Sequence, residues 1–288
     1  MATDWVEIVV PVGAADVDDV AAWIAAEVPA AAAGTEQRGD EVVFWVARDA
    51  LAAALVQTRE AVARWVDPAR VRSAEAVPEA EWRDAWKRYF RTSRVTRQFV
   101  IVPSWERFEP GAGDVAIALD PGMAFGTGTH ASTRLVLEEI QALADGGAVP
   151  ARVLDVGCGS GILAIAAALR WPGATCVAID VDPLAVAATA ENATGNGVAA
   201  RVAASATPVG EVSEAFPLVL ANIQAHVLRE LCAALIARVA PGGTLILSGL
   251  LTPQAAPLAD EFVAAGMRLV RVRESDADRE WSVVVLEK

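Results

Sequence analysis

The chain has 288 residues, of which 54% are hydrophobic, and its formal net charge is −13. This length accommodates one large domain plus a small one, and the apolar content excludes a largely disordered chain. The acidity disfavours a nucleic-acid binder, which usually carries a basic patch, and favours a cationic protein partner.

Local patterns disfavour membrane insertion, secretion and metal binding. The apolar run that begins at Ile162 ends at Arg170, far short of the roughly 20 residues of a membrane span. The first residues lack the basic region and apolar stretch of a secretory signal. Cys158, Cys176 and Cys232 match no zinc or disulfide spacing. We therefore predict buried thiols, no metal and a cytoplasmic location.

The first predicted domain covers residues 1–75. Alternating or helical apolar spacing predicts its elements in chain order: a strand at Trp5–Val10, a helix at Asp16–Val28, a strand at Glu41–Ala47, a helix at Asp49–Trp65 with Asp49 as its N-cap, and a short strand near Val71. Such an order favours a small α+β domain of the split βαβ, ferredoxin-like type.

Residues 76–105 form a predicted linker. Trp82, Trp86 and Phe90 recur every four residues and therefore share one helical stripe. We interpret this stripe as a connecting or docking helix, with a base-stacking platform as the alternative. Val95–Val102 and Asp114–Leu119 then predict two strands.

Residues 106–288 alternate between strand and helix patterns. Predicted strands lie at Arg152–Asp155, Thr175–Asp180, Ala200–Ala203, Pro217–Ala221 and Thr244–Leu250; predicted helices lie at Ser132–Leu143, Gly161–Arg170, Pro183–Asn196, His226–Ala240 and Gln254–Ala265. This alternation predicts a parallel sheet with helices on both faces. Arg268–Val272 and Trp281–Leu286 are joined without a helix, so the last strand must run antiparallel to its neighbour.

A glycine-rich turn follows the first strand of this sheet. Residues 153–161 read Val-Leu-Asp-Val-Gly-Cys-Gly-Ser-Gly, a strand and a turn that lets backbone approach a ligand closely. The dinucleotide fingerprint needs a third glycine where this chain has Ile162. Asp180 ends the next strand and could accept hydrogen bonds from both ribose hydroxyls of an adenosine ligand. Alternatively it caps the following helix, which Asp182 could do equally well.

Together these stretches resemble the class I S-adenosylmethionine-dependent methyltransferases. The resemblance implies a doubly wound, seven-stranded Rossmann-like methyltransferase sheet with an antiparallel last strand. It also implies S-adenosylmethionine as the cofactor, with Gly157 against its methionine part and Asp180 on its ribose.

Two further motifs narrow the resemblance. The loop at 120–130 reads Asp-Pro-Gly-Met-Ala-Phe-Gly-Thr-Gly-Thr-His, and Asn222-Ile223-Gln224 ends the fourth predicted strand. With the Trp82–Trp105 region, they look like the PrmA family of ribosomal protein L-eleven methyltransferases, in which a small N-terminal domain recognises the substrate. The family implies that the cofactor contacts are Thr133, Gly157, Asp180 and Asn222, with further candidates at Phe125, Gly126, Thr127, Gly128, Thr129, His130, Asp155 and Gly159.

The residues after Asn222 bear on the acceptor. Ile223 and Gln224 supply no ring on which a flat acceptor could stack, so an aliphatic amine fits better. Asn222 could orient that amine as a catalytic residue. His130 is the nearest candidate for a general base, although a capping or structural histidine is favoured.

We therefore predict a protein N-methyltransferase. Its expected substrate is a basic ribosomal protein of the large subunit, modified at lysines and at its N-terminal amine. One alternative is methylation of another protein lysine or of RNA, and the acidic charge argues against RNA. Another is a dinucleotide-binding oxidoreductase or a non-catalytic cofactor-binding module. We expect a monomer that contacts neither nucleic acid nor membrane.

Overall fold

The computed structural model describes residues 5–12, 17–31, 34–75, 91–120, 128, 130–276 and 279–288. The chain divides into two compact units, Met1–Tyr89 and Phe90–Lys288. The predicted stripe of Trp82, Trp86 and Phe90 lies outside the described residues. The boundaries at 75 and 105 stay a prediction.

The N-terminal unit is an antiparallel sheet with two helices. Its elements are β1 (Trp5–Pro11), α1 (Val17–Glu27), β2 (Glu36–Arg38), β3 (Glu41–Ala47), α2 (Leu51–Val62) and β4 (Arg72–Glu75). The strand order β2-β3-β1-β4, with antiparallel pairing throughout, is the ferredoxin-like arrangement predicted from the sequence. Alternating residues such as Ile8, Val10 and Phe44 face the helices and are fully buried.

Two details of this unit differ from the prediction. β2 has no apolar alternation, because its three residues are all exposed at the sheet edge, so the sequence pattern missed it. Asp49 does not cap α2: it lies in a 3-10 turn at Arg48–Ala50, and α2 starts after Ala50 without a side-chain cap.

The C-terminal unit carries the larger sheet. Its elements are β5 (Ser93–Arg94), β6 (Phe99–Val102), β7 (Val115–Ala118), α3 (Ala131–Asp145), β8 (Arg152–Val156), α4 (Ile162–Arg170), β9 (Thr175–Ile179), α5 (Pro183–Gly195), β10 (Val202–Ser205), β11 (Phe216–Asn222), α6 (Ala225–Glu230), α7 (Cys232–Arg238), β12 (Val239–Leu251), α8 (Thr252–Ala264), β13 (Arg268–Glu274) and β14 (Trp281–Glu287).

The seven strands follow the order β10-β9-β8-β11-β12-β14-β13. All neighbours up to β12 are parallel, and β14 is antiparallel to both β12 and β13. The predicted antiparallel last strand is therefore confirmed, and it inserts between β12 and β13. The chain reverses its direction across the sheet between β8 and β11, the point at which open α/β sheets bind ligands.

Buried side chains on both faces of the sheet form two cores. One core joins the sheet to α3, α4 and the small sheet β5-β6-β7, with residues such as Leu137, Ile165 and Ile117. The other joins it to α6, α7 and α8, with Leu228, Leu235 and Phe262 among its members. This packing makes the sheet doubly wound, as predicted.

Three predicted elements of this unit need correction. Only Phe99–Val102 of the strand predicted at Val95–Val102 is a strand, because the turn at 95–98 reverses the chain between β5 and β6. The helix predicted at His226–Ala240 breaks at Leu231 and ends at Arg238. β12 begins at Val239, five residues earlier than the predicted Thr244. A Cβ at Gly243 would lie 3.0 Å from Phe216 O, so glycine at this position lets the backbones of β11 and β12 approach each other.

Within the described ranges, no helix is long and apolar enough to cross a membrane. The same residues contain no group of three or more His, Cys, Asp or Glu that could hold a metal ion. Cys158 and Cys176 are buried free thiols, and Cys232 is half-buried.

Candidate active site

An apolar cavity lies where β8, β9, β11 and β12 end. Its volume is about 710 Å³, within the range typical of pockets for small organic ligands. Its walls include the predicted residues His130, Thr133, Gly157, Gly159, Asp180 and Asn222. Residues from separate stretches of the sequence are therefore brought to one edge of the sheet.

The glycine turn at 157–161 forms the floor of this cavity. Gly157 has φ of 72°, and a Cβ there would overlap Ile223 Cγ2. Gly161 has φ of 79°, and its Cβ would lie 2.7 Å from Thr189 Cγ2. Both positions require glycine for backbone conformation and for space. The turn thereby lets Ile223 and Thr189 pack directly against its backbone.

Asp180 lies at the end of β9, next to the glycine turn. Its carboxylate accepts hydrogen bonds from the backbone N–H groups of Gly159 (2.9 Å) and Asp182 (3.0 Å). Asp182 accepts from Leu184 N at 2.9 Å and is the N-cap of α5. The capping role thus belongs to Asp182. A carboxylate accepts about four hydrogen bonds, so Asp180 keeps capacity for ligand hydroxyls.

Asn222 ends β11, and only one of its two amide atoms has a hydrogen-bond partner among the described residues. Its Nδ2 donates to Thr133 Oγ1 at 3.2 Å, and Thr133 is itself buried in the first turn of α3. Its Oδ1 is buried without a hydrogen-bond partner among the described residues. A buried amide oxygen without a partner costs about 1–3 kcal/mol. Asn222 is therefore an acceptor in the cavity wall that no donor of the described residues satisfies.

Asp155 lies behind the glycine turn and is fully buried. Its Oδ2 accepts from Ala164 N at 3.1 Å, and its Oδ1 has no partner in the part of the chain that is described. Burial raises the pKa of Asp155 to about 7; the hydrogen bond from Ala164 opposes this rise, and the charge of Asp180 adds to it. Asp155 holds α4 against β8 and does not line the cavity.

His130 and Trp281 form an aromatic wall at the end of the cavity near Asn222. His130 is the N-cap of α3, because its Nδ1 accepts from Ser132 N at 3.3 Å. Its ring meets the Trp281 ring edge-on, with centroids 4.6 Å apart. The capping interpretation of His130 is confirmed. Ile223 and Gln224 supply no ring, but the last strand brings Trp281 to the same cavity from far away in the sequence.

The rest of the predicted loop is described only in part. Gly128 packs between β6 and α4, where a Cβ would overlap Ile101 Cδ1. Phe125, Gly126, Thr127 and Thr129 lie outside the described residues, so their predicted cofactor contacts stay predictions.

The opposite end of the cavity is apolar. Val181, Val209 and Leu231 line it, together with the backbone of 207–210. Leu231 lies at the break between α6 and α7. The cavity thus combines apolar residues beyond Asp180, the Asp180 carboxylate, the glycine turn and the Asn222 amide, and this combination suits the adenine, ribose and methionine parts of S-adenosylmethionine.

The doubly wound sheet, its helix-free final hairpin and the cavity at its reversal point define a class I S-adenosylmethionine-dependent methyltransferase. Comparison with known families is consistent with this class. The profile of the family described as Ribosomal protein L11 methyltransferase (PrmA) matches residues 13–288. The chain belongs to this family.

Individual relatives agree with this membership. The Ribosomal protein L11 methyltransferase of Geobacter sp. (strain M21) is 45% identical over 211 residues, which are 72% of this chain and 67% of the relative. That of Geobacter metallireducens is 45% identical over 207 residues, 72% of this chain and 66% of the relative. The matched region therefore spans about two thirds of these relatives.

A solved structure is also similar. The crystal structure of ribosomal protein L11 methylase from Lactobacillus delbrueckii subsp. bulgaricus aligns with a TM-score of 0.62 and 30% identity. The alignment covers 68% of this chain and 98% of that chain.

Proposed function

We propose that this protein transfers methyl groups from S-adenosylmethionine to amino groups of ribosomal protein L11, at lysines and at the N-terminal amine. The observation that carries the proposal is that Asn222 lines the cavity together with Trp281, while its buried Oδ1 has no hydrogen-bond partner among the described residues. This oxygen would accept a hydrogen bond from an N–H of the acceptor amine.

Residues along the cavity would hold the cofactor. Asp180 would accept hydrogen bonds from the ribose hydroxyls, and Gly157 would leave space for the methionine part. When bound, S-adenosylmethionine supplies a methyl group activated by a sulfonium. The fit rests on the position of Gly157 in the cavity wall and on the remaining acceptor capacity of Asp180.

The chain would orient the acceptor amine through Asn222. Thr133 fixes the amide by accepting from its Nδ2, so Oδ1 is left for the amine. Deprotonating a lysine of pKa about 10.4 at pH 7 costs roughly 4 to 5 kcal/mol. Apolar surroundings lower this cost because they disfavour the ammonium. The Nδ1 of His130 caps α3, so that nitrogen is not the base in this proposal.

The partner would be a basic protein. The net charge of −13 would attract a cationic ribosomal protein and repel the phosphates of RNA. The N-terminal unit would recognise the substrate, and the protein would act as a monomer in the cytoplasm without direct contact with nucleic acid.

Intact-mass spectrometry of purified L11 tests this function. After incubation with the protein and S-adenosylmethionine, L11 should gain mass in steps of one methyl group, and no gain should occur without the cofactor. A parallel reaction uses L11 whose N-terminal amine is acetylated, so that lysine methylation is counted alone. No mass gain on L11, or gain only on an RNA fragment, would refute the proposal.

The role of Asn222 is tested in the same assay. Asn222→Ala should lower turnover at least tenfold while calorimetry shows cofactor affinity near that of the wild type. Full turnover in this variant would contradict the orienting role.

A further inference from the structure

A buried hydroxyl lies next to Asn222 in the sheet, and nothing so far gives it a role. We propose that Ser248 is a positioning residue for the acceptor end of the cavity. It holds two parts of that end in place: the hydrogen-bonded pair Thr133–Asn222 and the ring of Trp281. This inference rests on the proposed function, because it assumes that an amine is aligned at Asn222.

Ser248 in β12 contacts three other segments of the chain: β11, α3 and β14. It pairs with Asn222 across the parallel β11–β12 ladder and is fully buried. Its Oγ lies 3.1 Å from Ser132 O and 3.2 Å from Ser282 O. One hydroxyl proton is therefore shared between the first turn of α3 and the start of β14.

The two carbonyl groups belong to residues beside the acceptor site. Ser132 directly precedes Thr133, whose Oγ1 accepts the hydrogen bond from Asn222 Nδ2. Ser282 directly follows Trp281, whose ring forms the cavity wall. Movement of either carbonyl would shift the Asn222 amide or the indole ring, so Ser248 acts through these neighbours and touches no substrate.

An irregularity in β12 brings Ser248 to this position. The β12–β14 register shifts between Leu247 and Leu250, which is a bulge of the kind that re-aims side chains near active sites. Gly249 within it has φ of 79°, and a Cβ there would lie 2.5 Å from Ile223 O. The bulge thus lets the turn after Asn222 pack directly against β12.

A second hydroxyl pair anchors β14 independently. Ser282 Oγ lies 3.0 Å from Thr252 Oγ1, which donates to Arg279 O at 2.7 Å. The start of β14 therefore stays attached to α8 when Ser248 loses its hydroxyl. We expect Ser248→Ala to loosen the acceptor end without unfolding the hairpin.

The test compares Ser248→Ala with Thr58→Val in full-length protein. Thr58 is also fully buried and donates to one carbonyl, Ala54 O, inside the N-terminal unit. Both variants lose a buried hydroxyl bond and should melt at lower temperature. Ser248→Ala alone should lower kcat for L11 about tenfold, a barrier increase of about 1.4 kcal/mol, with the calorimetric affinity for S-adenosylmethionine within twofold of the wild type.

A double variant shows whether Ser248 acts through Asn222. In the Asn222→Ala background, Ser248→Ala should lower kcat by clearly less than tenfold, because the part of its effect that acts through Asn222 is already lost. Ser248→Cys keeps a weak donor and should have a kcat between those of wild type and Ser248→Ala.

The inference would be overturned if Ser248→Ala lowered kcat equally in the wild-type and the Asn222→Ala backgrounds. It would also be overturned if Ser248→Ala left the kcat of the otherwise wild-type protein unchanged. Loss of the folded state in both Ser248 variants would overturn it as well, since the hydroxyl would then serve the fold as a whole. Failure of the wild type to methylate L11 would instead refute the proposed function.

Discussion

Gly157→Ala separates the two physical reasons for glycine in the floor of the cavity. The left-handed backbone conformation costs an alanine about 1–2 kcal/mol. Overlap of the new methyl with Ile223 Cγ2 adds about 1–3 kcal/mol, typical of overpacking. The free energy of unfolding should therefore fall by about 2–5 kcal/mol relative to wild type.

Gly197→Ala is the matched control. Gly197 has φ of 68°, and a methyl group added there would meet no atom within 4 Å, so this variant carries the conformational cost alone. The two variants should differ by about 1–3 kcal/mol. For a domain of this size that difference corresponds to about 2–12 °C in Tm.

Thermal and urea unfolding of both variants measure this difference. Calorimetry on the same samples should show weaker binding of S-adenosylmethionine by Gly157→Ala only, because a displaced Ile223 narrows the cavity. Equal Tm values for the two variants would refute the packing argument, and normal cofactor binding by Gly157→Ala would refute the placement of the methionine part.

Three further outcomes follow from the site. Asp180→Ala should weaken S-adenosylmethionine binding at least tenfold, whereas Asp182→Ala should cost about 1 kcal/mol of stability as a lost helix cap and leave calorimetric affinity unchanged. Because the pKa of Asp155 in the folded protein is raised to about 7, the free energy of unfolding of the wild type should fall as the pH rises from about 4 to 7. Asp155→Asn should remove this pH dependence in urea titrations. A pH dependence that persists in the variant would contradict its origin in Asp155. At pH 8, Cys232 should react with a thiol reagent before Cys158, whose burial raises its pKa to about 12.

The sequence predicted the elements whose signals are local. The strand, glycine turn and helix at 153–170 follow each other directly, and the pairing of that turn with Asp180 needs only one βαβ unit. The final antiparallel hairpin was also predictable, because a short helix-free connection cannot join parallel neighbours.

The missing features depend on contacts between distant residues. Trp281 reaches the cavity only because β14 inserts between β12 and β13, where it pairs with Leu251. The position of Ser248 depends on the bulge in β12 and on its two carbonyl partners, Ser132 and Ser282, which are distant in the sequence. The break at Leu231 has no sequence signal such as proline or glycine, so the end of α6 could not be predicted from periodicity.

The central claim is that the carboxyl edge of the sheet holds an adenosyl sulfonium through Asp180 and the glycine floor. Isothermal titration calorimetry of the wild type with S-adenosylmethionine, S-adenosylhomocysteine and NAD tests it most directly. We predict saturable one-to-one binding of the first two ligands and no heat with NAD. Binding of NAD, or no binding of either adenosyl ligand, would contradict the account.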